Sequence, residues 1–236
     1  MIANPTGPYH GTSNLVERQI RNWELTRAQR IEQAVPATRA VEDFVAISRA
    51  VGSGGAAAAH RLGQRLGWPV FDQEILHAMA GDDWVRERLY EHLDERDQGW
   101  LESMLRGILN GEFRREDYSH RLVEAVLAVA RQGHAVFLGR AADLILPRER
   151  GLRVRIIAPD EPCVRGYAAQ HGLKADDARR AIKRIEHERA DFIRNHFGRD
   201  AADPTRYDLI VNTERLSVDQ AVELIVAGLR VMGVEK

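Results

Sequence analysis

Residues 44–72 read FVAISRAVGSGGAAAAHRLGQRLGWPVFD, and this segment contains the clearest signals for the fold class. The apolar run at 44–47 contains β-branched residues and is typical of a buried parallel strand. An alanine-rich helix is predicted from about 56 to 66, because alanine has the highest intrinsic helix propensity. Gly67 ends that helix, and a second strand is predicted over 68–71, closed by Asp72. The stretch is therefore a strand, a glycine-rich loop, a helix and a second strand.

Further apolar runs at 135–138, 152–157 and 207–211 predict three more strands, and a final helix is predicted over about 217–231. Five short strands alternating with helices predict an α/β fold, in three layers, with a parallel sheet covered on both faces. Ligands in such folds bind beyond the carboxyl ends of the strands. The residues expected there are Ser48, Arg49, Asp72, Gly139, Arg140, Asp160, Asn212 and Thr213.

The chain before the first strand is predicted to be an extension of the core domain. Residues 1–14 are rich in Gly, Pro, Thr and Asn and are expected to be disordered. A helix is predicted over 15–35 and ends at Pro36. Residues 1–40 thus form an extension and 41–236 the main domain. The helix either packs on its own domain or pairs with a second copy, which would give a homodimer.

The overall composition excludes several classes of function. A net charge of −1 over 236 residues creates no long-range field that would attract nucleic acid or an anionic membrane. No apolar stretch is long enough to cross a bilayer, and the start of the chain has no signal-peptide pattern. The single cysteine, Cys163, rules out an intramolecular disulfide. A cytoplasmic protein that binds small molecules is expected.

The glycine loop has three competing interpretations. Gly52, Ser53, Gly54 and Gly55 lie between a strand and a helix, where unpaired backbone N–H groups can bind an anion. A plain turn is the simplest interpretation. A dinucleotide fingerprint is the second, because the glycines fit GxGxxG/A and Asp72 follows twenty residues after Gly52. A dinucleotide turn has its first glycine directly at the end of the strand. Here the strand is expected to stop near 47, so that four residues (48–51) lie between it and Gly52, which argues against this interpretation.

A phosphate loop of the kinase kind is the third interpretation. In the GxxxxGK[ST] frame, Arg49 stands at the first glycine, Gly55 at the lysine and Ala56 at the hydroxyl residue. The loop has the right length, but it lacks the two side chains that would touch the terminal phosphates and magnesium. The residues of the loop alone leave the three interpretations open.

Several blocks spread along the chain resemble the cytidylate kinase-like family, which is related to bacterial cytidylate kinase. They are the 44–76 segment, GHAVFLGRAADLIL, RVRIIAPDEP, ERADFIRNHFGRD and DPTRYDLIVNTERLS. The resemblance implies the nucleoside monophosphate kinase fold, with a helical substrate-binding part at 81–117 and a lid-like region at 160–200. It also implies phosphate transfer from ATP with Mg²⁺ to a pyrimidine nucleotide such as CMP or dCMP.

The resemblance also implies roles for individual residues. Gly52–Gly55 would bind the donor phosphates, Arg140 the acceptor phosphate, and Asp72 would lie near that phosphate. Arg189 corresponds to the lid arginine, and Arg184 is a second candidate for substrate binding. The family loop commonly lacks the lysine, and we expect Arg49 to supply that cation. Departures from the family pattern stand at Ala56, Ala141, Cys163 and Gly166.

The lid arginines can also be judged from helical spacing alone. An apolar stripe runs through Ala178, Ile182, Ile185 and Phe192 and passes through Arg189. An inward-facing arginine needs an anionic ligand or a partner carboxylate, because burying it unpaired is costly. Candidate carboxylates are those of Asp143, Asp160 and Asp203. Arg184, by contrast, is explained by a surface pair with Glu188 four residues later.

Two other functions remain open at this point. The departures from the family pattern at Ala56, Ala141, Cys163 and Gly166 favour a non-catalytic or regulatory nucleotide-binding module of the same fold. The fingerprint at the glycine loop leaves an NAD(P)-binding domain as a third possibility. No metal site is expected, because the nine histidines show no HxxxH or HExxH pattern.

Overall fold

The computed structural model describes residues 41–81, 99, 103–104, 108, 118–132 and 134–234. The predicted helix at 15–35 lies outside the described residues, as does most of the predicted substrate-binding part at 81–117. In the ranges that are described, no helix is long and apolar enough to cross a bilayer.

The core is a five-stranded sheet in which every pairing is parallel. Its strands are β1 (Phe44–Arg49), β2 (Val70–Phe71), β3 (Ala135–Leu138), β4 (Leu152–Ile157) and β5 (Leu209–Asn212). Their order across the sheet is β2-β3-β1-β4-β5. The predicted five-stranded parallel sheet is therefore confirmed. In dinucleotide-binding folds the first two strands are neighbours, whereas here β3 lies between them, so the strand order speaks against the NAD(P) interpretation.

Helices cover both faces of the sheet. They are α1 (Gly55–Leu66), α2 (Gln73–Gly81), α3 (Tyr118–Gln132), α4 (Ala142–Ile145), α5 (Asp160–His171), α6 (Ala175–Phe197) and α7 (Val218–Val231), with a 3₁₀ turn at Pro204–Arg206. Residues of β1 alternate between two apolar layers, because successive side chains point to opposite faces. Phe44 and Ala46 pack with α2 and α3, while Val45 and Ile47 pack with α1 and α7. The sheet is thus the shared centre of two hydrophobic layers.

The ends of the helices follow their local sequence. Gly67 ends α1 in the left-handed conformation (φ 66°), and its N–H donates to the carbonyl of Gly63. At the start of α7, Ser217 and Gln220 form a reciprocal capping box. Both ends agree with the predicted bounds to within a residue.

Three strand bounds differ from the prediction. β2 is shorter, because Pro69 has no N–H to donate and the N–H of Trp68 instead closes α1. β5 starts two residues later, because the N–H of Tyr207 closes the 3₁₀ turn. β1 is longer, since Ser48 and Arg49 also pair with β4. Two residues, not four, separate β1 from Gly52, so the spacing argument against a dinucleotide turn is wrong and only the strand order carries that conclusion.

Candidate functional site

The glycine loop between β1 and α1 is shaped for an anion. Gly52 (φ 81°) and Gly54 (φ 77°) adopt the left-handed conformation that favours glycine. Gly54 is the N-cap of α1, where no side chain caps the helix and no acidic residue lies in the first turn. The first N–H groups of an α-helix have no partner within the helix, and its N-terminus carries a partial positive charge. The loop therefore offers free donors to a phosphate.

Helix α5 packs with its backbone directly on this loop. A Cβ atom on Gly52 would overlap the carbonyl oxygen of Cys163, and one on Gly166 would lie 2.8 Å from the carbonyl oxygen of Gly52. Cys163 is buried, and its Sγ donates to the carbonyl of Ala158 at 3.6 Å. Burial raises the pKa of this thiol, with further raising by nearby carboxylates. Cys163 is thus a packing residue behind the loop and poorly suited to act as a nucleophile.

Two hydroxyl groups hold the loop in shape. Ser53 Oγ donates to the carbonyl of Ala50 at 2.8 Å, and Thr213 Oγ1 donates to the carbonyl of Ser53 at 2.8 Å. Thr213 follows β5, so the loop is tied to a strand on the far side of β4. These bonds agree with a structural role for Thr213. They also fix the loop before any ligand binds, which lowers the ordering cost of binding.

The side chain of Arg49 lies in the space that a residue larger than glycine would need at position 55. A Cβ atom on Gly55 would lie 2.5 Å from Arg49 Cβ and 3.0 Å from Arg49 Cγ. The guanidinium group extends toward the end of β3, where Nη1 lies 2.5 Å from the position of a Cβ on Gly139. The side chain of Arg49 therefore begins next to the position that the lysine of a phosphate loop would occupy, but its guanidinium group lies toward Arg140.

The environment of Arg49 disfavours its positive charge. Burial lowers its pKa to about 10, and repulsion from Arg189 and Arg140 adds to this, while attraction from Asp72 and Glu186 opposes it. Bound phosphate would relieve this by supplying the missing negative charge. The three neighbouring arginines thus favour an anionic ligand in this site.

The turn after β3 presents Arg140 in a strained conformation. Gly139, Arg140 and Ala141 have φ angles of 81°, 53° and 56°. Left-handed conformations of non-glycine residues cost about 1–3 kcal/mol each and cluster at functional sites. The Nε atom of Arg140 is buried and has no hydrogen-bond partner among the described residues. Its guanidinium lies over the rings of Tyr118 and Phe192 at 5.9 and 5.8 Å. Arg140 is therefore free to bind an anion.

Helix α6 brings Glu186 and Arg189 to the loop. Glu186 Oε1 accepts a hydrogen bond from the N–H of Val51 at 2.6 Å and lies 3.3 Å from Arg189 Nη1. The same Nη1 donates to the carbonyl of Arg49 at 3.2 Å. The prediction that Arg189 faces inward is confirmed. Its carboxylate partner, however, is Glu186, not one of the three aspartates suggested from the sequence.

The three suggested aspartates have other roles. Asp143 forms a buried pair with Arg206, 2.5 Å from Arg206 Nη2. Asp203 caps the 3₁₀ turn by accepting the N–H of Thr205 at 2.9 Å. Asp160 is the first residue of α5.

One cavity of about 250 Å³ at the carboxyl edge of the sheet brings these groups together. Its charged and hydroxyl lining includes Ser48, Arg49, Arg140, Arg155, Glu186 and Arg189. The three arginines predicted as catalytic, at 49, 140 and 189, thus line the same cavity. Arg155 and Glu186 are the residues that the sequence reasoning missed. An arginine within the apolar strand RVRII was the one available signal for Arg155.

Two other predicted substrate-binding residues lie apart from this group. Asp72 Oδ1 accepts the N–H groups of Glu74 and Ile75 at 3.0 Å each, so it caps α2. Its negative charge still attracts Arg49 and partly offsets the lowering of the pKa of that residue. Arg184 has 69% of its side chain exposed, pairs with Glu188 at 3.2 Å and is not part of the cavity lining. The structure therefore does not bring Arg184 together with the other arginines.

The site fits the phosphates of a nucleotide better than it fits magnesium. The free N–H groups of the loop and the orphaned Nε of Arg140 suit phosphate oxygens. For magnesium, Ala56 offers no hydroxyl, and the described part of the chain contains no group of three or more His, Cys, Asp or Glu side chains placed to hold a metal. The residues that the structure describes thus supply no ligand set of their own for magnesium.

The parallel sheet, the glycine loop before α1 and the arginine-lined cavity define an α/β fold of the phosphate-loop kinase class. Residues 44–215 match the cytidylate kinase-like family. This match covers more than half of the chain, and the protein belongs to that family.

Several solved structures are similar to this chain at low sequence identity. An uncharacterised protein from Eubacterium ventriosum is 19% identical, with a TM-score of 0.64 over 80% of this chain and 99% of its own. A shikimate kinase from Bacteroides thetaiotaomicron is 15% identical, with a TM-score of 0.42 over 80% and 98%. A gluconokinase from Sinorhizobium meliloti is 14% identical, with a TM-score of 0.43 over 82% and 95%. Among proteins with curated descriptions, none matches this chain.

Proposed function

We propose that this protein is a nucleotide kinase that transfers the terminal phosphoryl group of ATP, bound with Mg²⁺, to a pyrimidine nucleoside monophosphate such as CMP or dCMP. Membership of the cytidylate kinase-like family supports a nucleotide or small-molecule kinase. The single observation that carries the proposal is the cavity beside the glycine loop, in which Arg140 has a buried nitrogen without a partner among the described residues.

The donor phosphates bind the loop in this proposal. Backbone N–H groups at the start of α1 contact the phosphate oxygens, and the partial positive charge of the helix N-terminus favours the anion. Arg49 lies beside Gly55 and adds a full positive charge. Magnesium, when bound, would offset charge on the donor phosphates. The loop needs little rearrangement, because Ser53 and Thr213 already hold its shape.

The acceptor is a phosphate in this proposal, not an alcohol. An oxygen of the acceptor phosphate attacks the terminal phosphorus of ATP, a new P–O bond forms, and the bond to the leaving ADP breaks. A phosphate is already ionised at neutral pH, with a second pKa of about 6, so no general base has to remove a proton. The cavity matches this chemistry, because each carboxylate of its described lining already has a partner and none is left to act as a base. Glu186 accepts from the N–H of Val51, Asp143 pairs with Arg206, and Glu188 pairs with Arg184.

Arg189 stabilises the transferring group in this proposal. Its guanidinium already contacts the loop through the carbonyl of Arg49. Incoming phosphate would replace Glu186 as its anionic partner. Such positive charge lowers the energy of a transition state whose negative charge is spread over the phosphoryl oxygens. Ala141 carries no polar side chain to grip the acceptor sugar, so discrimination between ribose and deoxyribose is expected to be weak.

A nucleotide-binding module without turnover is the second candidate. Gly55 and Ala56 cannot reach the terminal phosphates, and the carboxylate of Glu186 occupies a loop N–H group. Such a module would bind ATP without transferring phosphate.

Coupled assays of ADP formation test the choice between these candidates. The protein would be supplied with ATP, magnesium and each common nucleoside monophosphate in turn. ADP formation that depends on CMP, dCMP or UMP supports the kinase. Stabilisation by ATP in a thermal-shift experiment, without ADP formation from any acceptor, establishes the binding module instead. A ligand at a hundred times its Kd stabilises the native state by about 2.7 kcal/mol, which such an experiment detects.

A further inference from the structure

Arg155 is the arginine in the cavity for which neither the sequence nor the family relationship suggested a role. It lies in β4, where it pairs in register with Ser48 of β1. Residues paired in register on neighbouring strands point to the same face of a sheet. Ser48 and Arg155 therefore lie side by side at the carboxyl edge, under helix α6, and both line the cavity.

A second arginine on the same strand shows how a structural arginine looks in this fold. Arg153 lies two residues earlier and faces the same side of the sheet. It is fully buried, and it donates to the carbonyls of Asp143, Leu146 and Pro147 at 2.7–3.1 Å. Its Nε and Nη2 hold α4 and the segment after it, while its Nη1 lies 3.8 Å from the carboxylate of Asp208. Arg153 is thus explained by the fold alone.

Arg155 is not explained in this way. Its contacts in the described part of the chain are a hydrogen bond from Nη1 to Ser48 Oγ at 2.7 Å and the ring of Tyr207, 5.9 Å from the guanidinium carbon. Neither partner carries a negative charge. A guanidinium group has five N–H donors, so most of those on Arg155 remain free to meet a ligand in the cavity.

The charges that surround Arg155 in the cavity also favour an anionic ligand. Burial is the main cause that lowers the pKa of Arg189, and repulsion from Arg155 and Arg140 lowers it further, against the attraction of Glu186. The charged residues of the cavity lining are Arg49, Arg140, Arg155, Arg189, Asp143, Glu186 and Glu188. Asp143 pairs with Arg206 and Glu188 with Arg184, two arginines outside this lining, so counting those pairs as neutral leaves four arginines against Glu186, a net charge of +3 (4 − 1). A terminal donor phosphate and an acceptor phosphate at about −1.5 to −2 each bring about −3 to −4. Arg155 supplies one of these positive charges.

We infer that Arg155 is a fourth phosphate-binding residue of the transfer site, and that Ser48 is the positioning residue that holds its guanidinium. The ligand group is a phosphate oxygen, from the acceptor, from the donor, or from the phosphoryl group in transit between them. This inference rests on the proposed phosphate-transfer function.

Binding measurements on Arg155→Met test this inference. Methionine keeps much of the length of the side chain and removes its charge and donors. Titrations with inorganic pyrophosphate, CMP and ATP, each alone, are followed by steady-state assays. We expect one of these ligands to bind about ten- to a hundredfold more weakly, the effect of losing a hydrogen bond to a charged group. If only the affinity for CMP falls, Arg155 binds the acceptor phosphate. If only the affinity for ATP falls, it binds the donor, and if only kcat falls, it binds the phosphoryl group in transit.

Matched variants separate this role from stability. Arg180→Met removes an exposed arginine of α6 that pairs with Asp177, and it should leave all three affinities within about twofold. Arg155→Lys keeps the charge and should bind with intermediate affinity, even if the methionine variant folds poorly. Ser48→Ala should raise KM or lower kcat about threefold to tenfold, while Ser48→Thr, which keeps the hydroxyl, should recover most of the loss.

Two results would overturn the inference, and they have different meanings. If Arg140→Met weakens phosphate binding while Arg155→Met and Arg155→Lys bind and turn over like the wild type, Arg155 is a structural residue and the proposed function stands. If the wild-type protein binds none of the three ligands, the proposed function and the role of Arg155 both fail.

Discussion

The carboxylate of Glu186 accepts a hydrogen bond from the backbone N–H of Val51 at 2.6 Å, at the edge of the phosphate loop. The protein thereby places its own anion where loop donors face the cavity. The same carboxylate lies 3.3 Å from Arg189 Nη1, so it contacts both the loop and a side chain of α6. A phosphate entering the site competes with Glu186 for both partners.

Replacing Glu186 by glutamine should strengthen nucleotide binding. Glutamine keeps an oxygen acceptor of the same reach, but its hydrogen bond is neutral and about half as strong as a charge-assisted one. We expect the affinity for ATP, measured by calorimetry, to rise by about threefold to tenfold, the effect of roughly 1 kcal/mol.

A suitable control is Asp177→Asn, because Asp177 lies on the same helix, pairs with the exposed Arg180 and is not part of the cavity lining. This control should leave the affinity unchanged. Weaker binding in the Glu186 variant would mean that its carboxylate contacts the ligand and does not compete with it.

Removal of Arg49 should eliminate turnover. The side chain of Arg49 begins beside Gly55, which has no side chain of its own at the start of α1. We expect the wild type to be slow compared with the roughly 1–100 s⁻¹ typical of kinases, and Arg49→Ala to show no measurable ADP formation. Arg49→Lys should keep part of the rate, because it retains a point charge. Equal rates in wild type and Arg49→Ala would assign the cation of the donor site to another residue.

Arg140→Met should weaken acceptor binding without a loss of stability. The loss of charge-assisted contacts to a phosphate is expected to raise the Kd for the acceptor by about ten- to a thousandfold. The melting temperature should stay level or rise, since the variant no longer buries an unpartnered Nε. A large fall in melting temperature with unchanged affinity would instead make Arg140 part of the fold.

Gly166→Ala should disturb the loop from behind. Its new Cβ would lie 2.8 Å from the carbonyl oxygen of Gly52, and this backbone atom can move away only with the loop. We expect weaker stabilisation by ATP in thermal-shift measurements. We also expect a lower melting temperature, because overpacking lowers the free energy of unfolding by about 1–3 kcal/mol. Gly81→Ala is the matched control and should behave as wild type, because no atom of the described residues lies within 4 Å of the new Cβ.

Much of the fold could be predicted because its signals are local. Five short apolar runs, the glycines and proline between them, and the cap at Ser217 identify the strands and most helix ends. The bounds of β2 and β5 differ where a backbone N–H closes a neighbouring turn, as at Trp68 and Tyr207. Such competition between hydrogen-bonding partners is not visible in residue patterns.

The site was predictable only where a residue follows a strand or lies on an apolar stripe. Arg49, Arg140 and Arg189 satisfy this condition, and one cavity includes all three. Arg155 depends on the register between β1 and β4, which places it beside Ser48. Glu186 looks like any charged residue of a half-exposed helix, and its role depends on the contact of α6 with Val51.

The overlap between the side chain of Arg49 and any side chain at position 55 limits the order in which this loop can change in evolution. A lysine at 55 would bring its Cβ within 2.5 Å of Arg49 Cβ, an atom that cannot swing away. A lineage that gained the lysine first would pass through a misfolded loop, whereas one that first replaced Arg49 by glycine would pass through a chain without either cation. The two arrangements of positive charge are therefore separated by an unfavourable intermediate in both directions. As long as Arg49 stands at the end of β1, position 55 cannot take the ordinary phosphate-loop lysine without a shift of the backbone.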